Sequence, residues 1–210
     1  MCIVSALEPA TRGLIEVAAG IYDAGDEQLA ALLSGARAAG TRAVWVEELL
    51  LMAVLFAGFP RALVVAKAWR GIEPRPGEAG DAADYGRWAE WRVRGEAACR
   101  RIYGANYDAL RRNVSALHPA LDAWIVTDGY GRTLSRPGLD IRRRELCAIA
   151  MLVPQNVARQ LHSHLRGALN AGASEQDVDE TLTIIEAVQA APPARLTLAR
   201  ALWAELRTCS

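Results

Sequence analysis

The stretch SRPGLDIRRRELCAIAMLVPQNVARQLHSHLRGALNAGAS, residues 135–174, carries the punctuation of consecutive helices. The Asp140 side chain can accept from the free N–H groups of a first turn, so it opens a helix. Pro154 closes that helix, because proline has no N–H to donate and its ring collides with the preceding turn. A second helix is predicted over 157–170, with Gly172 where a left-handed C-terminal cap is wanted. Ser174 followed by Asp177 forms a capping-box pattern that opens a third helix over 175–190. Pro192 and Pro193 suit the first turn of a last helix, running to about residue 207.

The same order recurs earlier in the chain. A shift of 132 residues lays 12–50 on 144–182 without a gap, so that Arg12 meets Arg144, Ala39–Gly40 meets Ala171–Gly172 and Glu48 meets Glu180. One inserted residue then brings Pro60 onto Pro193 and Leu63 onto Leu196. Shared Arg, Gly, Glu and Pro in one register point to duplication. The first copy is predicted as helices over about 9–22, 26–39, 43–57 and 60–70.

Between the copies, residues 71–86 are rich in Gly, Pro and acid without a helical period, and read as a surface connection. A helix over 87–103 follows, then short helices near 106–117 and 119–127. These lead into DGYGRTLSRPGLD, residues 128–140, read as a loop. The expected architecture is all-α: one two-repeat domain, with a first repeat over 1–70, a linker over 71–86 and a second repeat over 87–210.

Composition agrees with this and narrows the partners. Hydrophobic residues make up 52% of the 210 and aromatics only 6%, so Ala and Leu, strong helix formers, dominate over the strand-favouring types. Charges balance at 24 and 24, which leaves no basic field for nucleic acid and favours a small-molecule or protein partner. The uncharged apolar run 49–60 is shorter than the roughly 20 residues a membrane span needs, so no membrane partner is expected. MCIVSALEPATR lacks the basic start of a signal peptide. Cys2, Cys99, Cys147 and Cys209 show no CxxC and no zinc-ligand spacing, so a reduced, cytoplasmic protein with no metal site is expected.

The SRPGLD loop, the helix bearing REL, the helix bearing HLRGALNAGA and the earlier AGFPRAL (57–63) resemble the carboxymuconolactone decarboxylase / alkylhydroperoxidase D superfamily, closer to its γ-carboxymuconolactone decarboxylase branch. That resemblance covers nearly the whole chain. It implies an alkylhydroperoxidase D-like helical fold and a catalytic Glu and His, which fall on Glu145 and His164. The cysteine pair of the peroxidase branch falls on Val157 and Gln160, so both thiols are missing. The first repeat has Gly13 and Leu32 at the Glu and His positions and reads as the structural half. Rings are implied too: two-repeat relatives often assemble as trimers, so a trimer is expected ahead of a dimer, and the apolar helix over 43–57 suits burial by other copies.

Glu145 and His164 are therefore the candidate catalytic residues, a carboxylate orienting an imidazole that moves a proton. Arg136 is the candidate fork for a substrate carboxylate, and Gln160, one turn before His164, is a candidate hydrogen-bond donor to substrate. His162 and His164 lie about 200° apart on a helix and do not read as a metal pair. His118 before Pro119 reads as a helix start. Cys147 reads as core, Arg142–Arg143–Arg144 as a solvated or subunit-facing run, and the tryptophans as packing anchors. The implied activity is cofactor-free decarboxylation, or isomerisation, of a small unsaturated lactone or keto acid. An alkylhydroperoxidase-like oxidoreductase and a non-catalytic binding or assembly protein are the alternatives.

Overall fold

The computed structural model describes residues 7–208, and every regular element among them is helical. The first repeat supplies α1 (Pro9–Gly20), α2 (Asp26–Ala38) and α3 (Ala43–Arg70). The middle supplies α4 (Trp88–Tyr103), α5 (Tyr107–Leu117), α6 (Pro119–Trp124) and a π-helix (Ile125–Leu134). The second repeat supplies α7 (Ile141–Leu152), α8 (Ala158–Asn170), α9 (Glu175–Ala187) and α10 (Pro193–Thr208). The caps form as their residues dictate. Asp140 accepts from the Arg143 N–H, and Ser174 and Asp177 close a full capping box. Gly40 and Gly172, equivalent under the repeat, both take φ values near +90°.

The two helices expected over 43–57 and 60–70 run as one element, α3, broken at Gly58, whose φ of 80° and ψ of 164° are open to glycine alone at low cost. By length and composition α3 passes as a membrane span, with a mean hydropathy of 2.2 over its most apolar window. Only 33% of that window is buried, so one side of α3 joins the core of this fold and the rest stays open. Trp45, Leu49, Met52, Val65 and Trp69 are buried in the shared core, and Glu48 is ion-paired inside it.

The two repeats hold each other through crossed ion pairs. Arg12 of the first repeat reaches Glu180 of the second at 2.5 Å, and Arg144 of the second reaches Glu48 of the first at 2.8 Å. Residue i meeting j′ while i′ meets j is the signature of a two-fold interface, here built within one chain. Two members of the arginine run expected to be solvated or subunit-facing, Arg143 and Arg144, take part in this contact between repeats. Arg144 is fully buried, Arg142 pairs with Asp177, and Arg143 bonds Glu8 and Asp140 while lying 4.2 Å from the Trp45 ring centroid. The tryptophans divide as well: Trp69, Trp91 and Trp203 are buried anchors, whereas Trp88 and Trp124 are exposed.

Residues 128–134, expected as a loop, belong to the π-helix, which crosses α4 at backbone contact. Two glycines permit that approach. A methyl at Gly95 would strike the Val126 carbonyl oxygen, and one at Gly131 the Trp91 carbonyl oxygen. No side-chain pattern announces a wide helix held open by its neighbour. Gly131→Ala is expected to lower stability by about 3 kcal/mol through overpacking. Gly35→Ala, exposed in α2 with nothing near its Cβ direction, should raise it by about 0.5–1 kcal/mol through helix propensity. Urea unfolding followed by circular dichroism compares them; equal effects would show that the crossing tolerates a side chain.

Candidate functional site

The packing of α7 against α8 brings Glu145 and His164 together, 19 residues apart in sequence. Their connection, a short 3₁₀ turn (Val153–Gln155) and a left-handed Asn156, is longer than the two or three residues expected, yet it folds the helices onto each other. His164 Nδ1 lies 2.8 Å from Glu145 Oε2, with Glu145 buried and the histidine side chain only 10% exposed. A carboxylate accepts only, so the geometry assigns the proton to Nδ1 and leaves Nε2 without a hydrogen-bond partner among the described residues. Gly167, one turn after His164, makes room for the carboxylate: a Cβ there would sit 2.7 Å from Glu145 Oε2. The Phe56 ring meets the imidazole edge-on, centroids 5.3 Å apart.

His164 opens onto a cleft of about 680 Å³ between α5 and α8. Tyr103, at the end of α4, lines the same cleft, and its hydroxyl accepts from Tyr130 on the π-helix at 3.4 Å. Burial, and secondarily the nearby Glu145 charge, push the Tyr103 phenol up to about 12. It therefore keeps its proton at neutral pH and can donate a hydrogen bond into the cleft.

Gln160 is exposed on α8 and lines this cleft with His164. Arg136 does not line it. Its guanidinium bonds Glu48 at 3.1 and 3.2 Å and the carbonyls of Ala79 and Glu78 at 2.7 and 3.1 Å, with 7% of the side chain exposed. The fork expected to grip a substrate carboxylate instead ties the linker to the core. His162, expected on the face away from His164, reaches the rim of the same cleft. His118 accepts from the Ala120 N–H as an N-cap. Sequence reasoning passed over Tyr103, Arg159 and Arg166, which all line the cleft. Arg159, Ser163 and Arg166 share one face of α8 at helical spacing, but that pattern alone equals a solvated charge stripe. Among the described residues no three His, Cys, Asp or Glu side chains come together as metal ligands.

In the first repeat the position equivalent to Glu145 has no room for a side chain. Gly13, at the Glu145 position, packs so tightly on α2 that a Cβ there would lie 2.8 Å from Ala36 Cα.

The thiols sit away from thiolate chemistry. Cys99 and Cys147 are free and buried, and desolvation pushes each up to about 12; Cys2 and Cys209 lie outside the described residues. Below that value both remain protonated and weakly nucleophilic. With Cys2 and Cys209 changed to serine, the folded protein is expected to react with a disulfide reagent at pH 8 at least about 100-fold slower than its urea-unfolded form. It should also show no dithiol-dependent hydroperoxide turnover. Fast native labelling coupled to peroxide reduction would restore a peroxidase reading.

The profile of the Carboxymuconolactone decarboxylase family matches residues 3–71 and 119–203, one segment in each repeat. The chain is 30% identical over 84 residues to a nitrosuccinic acid decarboxylase of Metarhizium robertsii, covering 39% of this chain and 57% of that protein. It is 31% identical over 136 residues to Peroxisomal protein 2 of Schizosaccharomyces pombe, covering 63% of each. The chain therefore spans less than two thirds of the length of either relative. With two helical repeats, a Glu–His pair on adjacent helices of the second, and a profile that matches both halves, this chain belongs to the carboxymuconolactone decarboxylase family.

Proposed function

We propose that this chain is a cofactor-free lyase that removes CO2 from a small carboxylate, an unsaturated lactone acid, a keto acid or a nitro acid. The observation that carries the reading is the buried Glu145–His164 pair presenting a free Nε2 to a cleft. Loss of CO2 leaves the electron pair of the broken C–C bond delocalised onto an oxygen. A fixed donor stabilises that oxyanion, and Tyr103 and Gln160 are placed to supply it. The protonated Nε2 then gives its proton to carbon, and the neutral ring, held by Glu145, is recharged from water. The decarboxylase relative supports the class of reaction and does not name this chain's substrate.

Release of CO2 from 4-carboxymuconolactone, nitrosuccinate and a panel of β-keto acids tests the reading. Turnover of an organic hydroperoxide with dithiol, or of nothing in either panel, would replace it by the oxidoreductase or the binding-protein alternative.

Assembly belongs to the same proposal. Leu51 and Leu55 before the Gly58 break in α3, and Phe59 and Leu63 after it, are from 40% to 66% accessible, a concentration of exposed apolar side chains that a further copy could cover. A second and third copy covering it would give a closed trimer. Light scattering at micromolar concentration should report three times the 22.7 kDa chain mass, and Leu55→Glu/Leu63→Glu should reduce it to one. A wild-type monomer would show these side chains to be plain surface. The buried free thiols support a reducing, cytoplasmic setting.

A further inference from the structure

We propose that the cleft beside His164 binds an amphipathic acid, its carboxylate held by Arg159 and Arg166 and its hydrocarbon body laid on the apolar wall of α5. This rests on the lyase reading for what happens to the acid, but the binding site stands on its own observations.

The first observation is charge. Arg159 and Arg166 line the cleft, and no Asp or Glu does. Among the described residues neither guanidinium forms an ion pair, although most arginines here do. The second is the start of α8. Its N-cap, Val157, carries no accepting side chain, and its first turn has no acid. The N–H groups of that turn and the positive end of the helix therefore have no acidic partner beside Arg159. The third is His164, nine-tenths buried, with Nε2 unpartnered and opening into the same space. The two arginines and the His164 ring open into one cleft that no carboxylate lines, and a carboxylate is the group that satisfies them.

The opposite wall sets the rest of the ligand. Ile102, Leu110, Val114, Leu117, Ile125 and Leu202 line it, with Leu117 79% exposed. At about 680 Å³ the cleft falls within the ~300–1,000 Å³ typical of sites for drug-sized ligands. A lactone diacid alone would leave most of that wall wet, whereas an alkyl or ring-bearing acid would cover it.

Calorimetric titration of the whole protein with octanoate, butyrate and octanol tests the assignment. Octanoate should bind, and butyrate and octanol should each bind at least about tenfold more weakly, for want of chain or of charge. Arg159→Gln/Arg166→Gln should weaken octanoate by about tenfold or more. Leu110→Ala/Val114→Ala should weaken octanoate several-fold and leave butyrate alone. Absence of octanoate binding, equal binding of octanol, or indifference to the arginine pair in variants with wild-type circular dichroism would overturn the proposal. So would failure of octanoate to bind while the arginine variant dissociates an oligomer, since the cleft would then be an interface between copies. Octanoate binding with no acid decarboxylated sinks the lyase reading and leaves this site standing. Decarboxylation of short acids without arginine-dependent octanoate binding sinks this site alone.

Discussion

His164→Gln is expected to slow decarboxylation by about two to four orders of magnitude, the usual worth of a positioned general acid, while the protein melts close to the wild-type temperature. Glutamine is the informative replacement. Its amide can still donate to Glu145, so the buried carboxylate keeps a partner, but it has no proton to give at neutral pH. His164→Ala removes the same acid and also strands Glu145, which is only 1% exposed; its stability loss would then be confounded with its rate loss. Glu145→Gln should fall between wild type and His164→Gln, since it frees the ring's orientation without removing the imidazole. Rates from CO2 release, set beside thermal melts, separate the roles. A His164→Gln enzyme within a factor of a few of wild type would reduce the pair to an inter-helix polar contact.

The second large effect lies away from the cleft, at Glu48. This carboxylate bonds Arg136 and Arg144, and all three side chains are no more than 7% exposed. Glu48→Ala would leave two buried guanidiniums without a counter-charge, where even the native Arg144 Nη1 has no hydrogen-bond partner. A loss of about 3–5 kcal/mol follows from removing one member of a buried ionic group. Its repeat-equivalent, Glu180, is 12% exposed and also accepts from the Leu7 N–H, but its Arg12 partner is 38% exposed, and solvent reaching that guanidinium weakens the pair toward the ~0–1 kcal/mol of surface pairs. Glu180→Ala should therefore cost clearly less, although the two pairs are related by the repeat. Comparable urea midpoints for the two variants would show that burial does not set their difference.

That contrast also marks the limit of the sequence. The equivalence of Arg12 with Arg144 and of Glu48 with Glu180 is visible in the one-dimensional alignment. Nothing there says that each arginine crosses to the other repeat's glutamate, or that one pair is buried and the other half-open. The same holds at the cleft. Glu145 and His164 were legible because they lie on consecutive helices at spacings the family resemblance supplies. Arg136 was misplaced, because a forked cation in a loop looks the same whether it faces a ligand or a glutamate 88 residues away.

The sequence by itself determined the helices, their caps and breaks, the duplication and the loss of the paired thiols. These are local properties, encoded in backbone preference, side-chain periodicity and the presence or absence of a residue type. Only the tertiary structure decided that residues 128–134 wind as a π-helix against Gly95, that Arg144 is core, and that Arg159, Arg166 and Tyr103 share a cleft with His164. Those outcomes depend on which surfaces the chain folds together. A charge or a glycine carries no local record of the partner, tens of residues away, that gives it its environment.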